Sequence, residues 1–127
     1  MELLTLVIML ALVQLIVFGA LVGMARTKYG IKAPAVTGNE IFERYYRVHY
    51  NSIEQVVVFL PAVWAFGYYI GQYWAAGLGV VYLLGRTIYA IGYIKAPENR
   101  GPGTLVTMVA NWILVIGSIV GAIRHLI

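Results

Sequence analysis

LLTLVIMLALVQLIVFGALVGMA, the stretch from Leu3 to Ala25, contains no charged side chain and a single amide, Gln14. About 20 apolar residues suffice for a helix to cross the hydrocarbon core of a bilayer, so this stretch predicts a membrane-spanning helix. It lacks the basic start and short apolar core of a secretory signal, and Met24-Ala25-Arg26-Thr27 makes a poor cleavage site, so it is expected to remain in the protein. Two further charge-free runs follow. Gln55 to Gly85 is too long for one span and is interrupted at Gly71-Gln72-Tyr73. Gly101 to Ile123 is the length of one span. Hydrophobic residues make up 61% of the 127 residues and charged residues 11%, against about 25% charged in a soluble domain. The expectation is an all-α membrane protein: a single four-helix transmembrane domain over residues 1–127, with helices at about 2–24, 40–69, 75–95 and 104–125.

The connections are read from breakers and caps. Gly30, Pro34 and Gly38 interrupt the chain after the first helix. Asn39 is placed to cap the second helix, with Glu40 and Glu43 in the first turn, where the helix dipole favours acids. At 1.5 Å per residue the second helix is about 45 Å long, so its charged first turns project beyond the membrane, and Pro61 predicts a kink. Ala96 to Gly103 reads as a loop, with Thr104 capping the fourth helix. Glycine pairs four apart, Gly19/Gly23, Gly67/Gly71 and Gly117/Gly121, permit close helix packing.

Charge and composition narrow the function. There is no cysteine, which excludes disulfides, thiolate metal sites and a cysteine nucleophile. No metal site is expected. The nine basic residues sit mostly at helix ends and form no stripe for nucleic acid. Arg26, Lys28, Lys32, Arg44, Arg47, Lys95 and Arg100 fall on the side of the first and third connections. The positive-inside rule places that side in the cytoplasm and both termini across the membrane. The chain carries no retention signal or basic tail, so a bacterial inner membrane and an endoplasmic reticulum both fit.

Ionisable residues inside a membrane mark sites. Arg47, Asn51 and Glu54 share a face of the second helix, and Arg86, Tyr89 and Tyr93 share a face of the third. The two helices run antiparallel. Glu54 and Arg86 fall at similar depth, about 10 Å from the cytoplasmic surface by helical rise, and read as an interhelical ion pair. Arg26 and Arg100 join at the mouth, so four arginines face one glutamate. Such an excess suits a small ligand with several carboxylates, held by bidentate arginines, and one ammonium taken by Glu54. Each residue also has a plainer reading: Glu54–Arg86 as a structural pair, the tyrosines as packing, Arg26, Arg44 and Arg100 as topology signals, His49 as an ordinary polar residue near the mouth.

Phe42-Glu43-Arg44-Tyr45-Tyr46-Arg47-Val48-His49-Tyr50-Asn51-Ser52-Ile53-Glu54 resembles the second-helix signature of the MAPEG family, the membrane-associated proteins of eicosanoid and glutathione metabolism. Gly85-Arg86-Thr87-Ile88-Tyr89-Ala90-Ile91-Gly92-Tyr93 is similar to the third-helix signature. The resemblance is strong from about Gly38 to Arg100, and its nearest branches are the microsomal glutathione transferases of types two and three and leukotriene C synthase. It implies a homotrimer of four-helix protomers, with glutathione in a cleft between neighbours, open to the cytoplasm. It also implies that Arg26, Arg47, His49, Asn51, Glu54, Arg86, Tyr89 and Tyr93 hold glutathione, and that Arg100 stabilises its thiolate. The chain departs from the leukotriene C synthase pattern at Thr27, at His49 and at Gln55.

The activity so implied is transfer of the glutathione thiolate to hydrophobic electrophiles in detoxification, or reduction of a lipid hydroperoxide by the same thiolate. The electrophile would arrive through the bilayer past residues such as Leu105 and Trp112. Two rivals stand beside it: a non-catalytic lipid-binding scaffold of the same family, and a small proton-coupled exporter using Glu54.

Overall fold

The computed structural model describes residues Met1–Ile127. Four helices follow in order: α1 (Glu2–Tyr29), α2 (Glu40–Tyr69), α3 (Gln72–Lys95) and α4 (Gly101–Leu126), with a 3-10 turn at Pro97–Arg100. There is no strand. The stretches containing α1, α3 and α4 are long and apolar enough to cross a bilayer, while α2 carries its charges in its N-terminal half. Large apolar side chains point outward on all four helices, among them Ile16, Val57, Leu84 and Ile119, as expected where the solvent is lipid. The chain is an integral membrane protein.

Three boundaries differ from the expected ones. α1 continues past Met24 to Tyr29, because a helix need not stop at the membrane surface and Arg26 and Lys28 are good helix formers. It ends at Gly30, which takes the left-handed conformation at φ 70° and returns its N–H to the Arg26 carbonyl. α3 begins at Gln72 rather than residue 75, so the turn after α2 shrinks to Ile70 and Gly71. α4 begins at Gly101 rather than 104. Pro102 lies in its first turn, where a missing N–H costs nothing, so Thr104 is inside the helix and caps nothing. The expected cap of α2 is formed: Asn39 Oδ1 accepts from the Phe42 N–H at 2.9 Å. α2 runs unbroken through Pro61.

α2 and α3 form the central pair, each packed against all three other helices. Phe59 of α2 stacks on Tyr82 of α3 at 3.9 Å between ring centroids. Polar side chains lace the bundle. Gln14 Nε2 of α1 donates to the Leu83 carbonyl and to Thr87 Oγ1, both at 3.1 Å, and Ser118 Oγ of α4 donates to the Ala62 carbonyl of α2 at 3.1 Å. The N-terminal amine meets Gln72 Oε1, closing the end opposite the first and third connections. Of the glycine pairs, Gly117 and Gly121 receive Phe66 and Tyr69 of α2.

The α3–α4 hairpin is the tightest crossing. A Cβ at Gly103 would fall on the backbone of Tyr89, and one at Gly92 would meet the Asn99 carbonyl. These contacts fix Arg100, at the α4 N-terminus, against the end of α3 that carries Tyr89 and Tyr93.

Candidate functional site

Arg86 is the centre of the site. It is only 1% exposed and is the largest fully buried side chain in the protein. Its guanidinium lies 4.1 Å over the Tyr89 ring, and its Nη2 donates to Asn51 Oδ1 at 3.1 Å. Its Nε has no partner, and no carboxylate lies within ion-pair distance of it. The expected Glu54–Arg86 ion pair is therefore not formed. Asn51 stands between the two, accepting from Arg86 and donating through Nδ2 to Glu54 Oε1 at 3.4 Å. The charges communicate through an amide and do not neutralise each other directly.

Around this relay the structure gathers most of the expected residues. Arg47, Arg86 and Arg100 all lie within electrostatic reach of the Tyr89 hydroxyl, as does Tyr93, whose ring sits 5.5 Å from that of Tyr89. Tyr89 is buried, Asn51 and Tyr93 are half-buried, and Arg47, Glu54 and Arg100 are exposed on the protomer. Toward the connections the site opens into a cavity of about 400 Å³ lined by Thr37, Glu40, Glu43, Arg44, Arg47 and Tyr93, among others. Arg44, read first as a topology signal, is an anchor: its Nη1 donates to the Ile94 and Lys95 carbonyls at the end of α3.

Two expected residues lie elsewhere within the protomer. His49 packs on α1, its ring against Gly19. Two residues along a helix turn about 200°, so His49 and Arg47 cannot share a face. Arg26 donates to the Ala35 and Ile31 carbonyls at 2.6 and 3.4 Å and lies 4.9 Å over the Phe42 ring, which binds it to the first connection.

One polar pair was missed by the sequence reading. Asn111, 5% exposed on α4, donates through Nδ2 to Gln55 Oε1 of α2 at 3.2 Å. The signal was there: Asn111 is the single amide in the last charge-free run.

The arrangement offers a desolvated cation without an anion, flanked by two more arginines, two tyrosine hydroxyls and one carboxylate. It can bind an anionic molecule and stabilise negative charge upon it.

Comparison with known proteins agrees with the sequence signatures. The model of the MAPEG family matches residues 4–120. An uncharacterised protein of Synechocystis sp. is 48% identical over 105 residues, covering 83% of this chain and 77% of that protein. Microsomal glutathione S-transferase 2 of Homo sapiens is 38% identical over 106 residues, covering 84% and 70%. Leukotriene C4 synthase of Bos taurus is 33% identical over 101 residues, covering 80% and 67%.

Proposed function

The chain belongs to the MAPEG family, and from that premise we propose that it is a membrane-bound glutathione transferase that joins the glutathione thiolate to hydrophobic electrophiles. The observation that carries this reading is the buried, anion-less guanidinium of Arg86. A buried arginine without a carboxylate partner is costly in an empty protein, and a ligand carboxylate removes that cost. Arg47 and Tyr93 line the route from the cytoplasm, and Asn51 carries Arg86's influence to Glu54, which takes the ligand's ammonium. Arg47 and Glu54 face outward at the depth of the bilayer's edge and below it, where lipid would leave them desolvated and unpaired. A homotrimer, with Arg47, Asn51 and Glu54 facing a neighbour's helices, covers them. The site opens on the cytoplasmic side.

The thiolate, not the thiol, reacts, and a free thiol ionises near pH 8.5. Arg100 precedes the first turn of α4, a helix with no side-chain cap, so a sulfur there meets both a guanidinium and the positive end of the helix dipole. No side-chain base is required. The electrophile comes from the bilayer, past Leu105 and Trp112.

Titration of thiolate absorbance on the purified protein tests this. Arg100→Ala is expected to raise the pKa of bound glutathione and to slow conjugation at neutral pH by about ten- to a hundredfold, the scale of losing one charge-stabilising group. The rate should recover at high pH, where the thiol ionises unaided. An unchanged titration curve and pH profile would reject the role of Arg100.

A further inference from the structure

A groove of about 470 Å³ runs between α2 and α4, lined by Gln55, Val58, Met108, Asn111, Trp112 and Val115. Four of its six lining residues are apolar, as suits a molecule that arrives through lipid. The other two are the amide pair. Asn111 lies about 15 Å along α4 from Gly101, and Gln55 about 22 Å along α2 from Glu40. With the charged first turns of α2 outside the membrane, Gln55 lies one residue deeper than Glu54, about 12 Å from the surface by helical rise.

Two amides have two carbonyls and two amino groups between them, and the one bond they share uses one of each. What remains is a carbonyl, Asn111 Oδ1, which is buried without a partner, and the amino group of Gln55, which makes no other hydrogen bond. Exchanging oxygen and nitrogen in both amides leaves the same remainder, one acceptor and one donor. In hydrocarbon an unpaired amide is expensive, and a plain clamp between α2 and α4 would be served as well by two leucines.

We infer that this groove selects a second substrate whose apolar chain carries a group able both to donate and to accept a hydrogen bond, a hydroxyl being the simplest, set apart from the electrophilic carbon. The hydroxyl accepts from the free amino group of Gln55 and donates to Asn111 Oδ1 once that buried atom is turned toward the groove, so both remainders are satisfied at once. Met108, Trp112 and Val115 pack the chain on either side. The inference rests on the transferase reading only in calling the occupant a substrate.

The test needs no turnover. Trp112 lines the groove and is one of three tryptophans, so Trp64→Phe with Trp74→Phe leaves it as the sole tryptophan of the full chain in detergent, excited at the red edge where tyrosine does not absorb. Quenching by a brominated dodecyl chain is compared with quenching by the same chain bearing a hydroxyl, moved one carbon at a time. At the matching position the hydroxylated chain is expected to bind about tenfold more tightly, the scale of satisfying a buried polar pair. Gln55→Leu with Asn111→Leu, or Gln55→Leu alone should the double variant fail to fold, should erase the preference and keep binding of the plain chain. Equal quenching by both chains overturns the inference, as does a preference that survives in the leucine variants. Absence of quenching by either chain overturns it too, since the groove is then covered, as by a neighbouring copy. A second arm offers glutathione and a pair of enones differing only in a remote hydroxyl. Conjugation of both with equal kcat/KM refutes the inference and leaves the transferase intact. Selective binding in the first arm with no conjugation of either enone refutes the transferase and leaves the groove's selectivity standing.

Discussion

Replacing Arg86 by methionine separates a binding residue from a structural one, because the two roles predict opposite balances between stability and affinity. Arg86 is buried among Asn51, Tyr82 and Tyr89 with one hydrogen bond and no anion. Exchanging such a charge for an apolar side chain of similar length removes a desolvation penalty of several kcal/mol. Against that, Asn51 Oδ1 loses its donor, about 1 to 3 kcal/mol, and the Tyr89 ring loses its cation, about 1 to 2 kcal/mol. The terms nearly cancel, so the ligand-free variant should unfold within a few degrees of the parent. Glutathione binding has no such compensation. Loss of a charge-assisted bond costs about 1.5 to 3 kcal/mol, and a bidentate contact about twice that, so affinity should fall at least a hundredfold. Thermal unfolding in detergent with and without glutathione reads both quantities. The parent should gain about 2.7 kcal/mol when glutathione is present at 100 times its Kd, and Arg86→Met at the same concentration should gain no more than about 0.4 kcal/mol. A variant that loses several kcal/mol without ligand while still responding to glutathione would refute the reasoning and make Arg86 a structural residue.

Glu54→Gln keeps the hydrogen bond from Asn51 but removes the carboxylate; calorimetric titration should show glutathione weakened at least tenfold and deaminated glutathione, which has no ammonium, unchanged. Reporter domains active only in the cytoplasm, fused to either terminus, should be silent, because Arg26, Lys28, Lys32, Arg44, Arg47, Lys95 and Arg100 concentrate at the other end of the bundle. Native mass spectrometry should show trimers, with the trimeric share rising on addition of glutathione, since a ligand held between copies stabilises their association. A protein that stays monomeric at all concentrations would place the site within one protomer.

The helices were legible because lipid imposes a simple demand: a charge-free run of sufficient length has to cross, and Leu3–Ala25 admits no other reading. The helix ends were less legible. A bilayer fixes how much of a helix is apolar, not where it stops, and α1 goes on to Gly30. Proline and glycine were read as loop residues around Pro102, yet in a first turn they start a helix. In the site, spacing along one helix told correctly which residues share a face. It could not tell which residue of α2 meets Arg86 across the interhelical gap, because depth alone does not fix rotation about a helix axis. Asn51 and Glu54 are less than one turn apart, and the amide is the one that arrives. His49 was carried in by the signature, although its spacing from Arg47 already argued against a common face.

The distribution of exposure over the site has its own logic. Its most buried member is the cation, while its carboxylate stands outward on a helix that also turns Ile53, Val57, Val58 and Trp64 outward, side chains suited to lipid. A protomer meant to live alone in the membrane would do the reverse, folding Glu54 inward to neutralise Arg86. Asn51 holds the two apart instead. That leaves a positive inner wall and a negative outer edge, which a ligand carrying both signs can bridge once a second surface closes over Glu54. A neutralised Arg86 would have less to offer a ligand carboxylate than the separated pair does. In the proposed transferase, ligand recognition and assembly would draw on one structural fact, the amide placed between two charges that would otherwise satisfy each other.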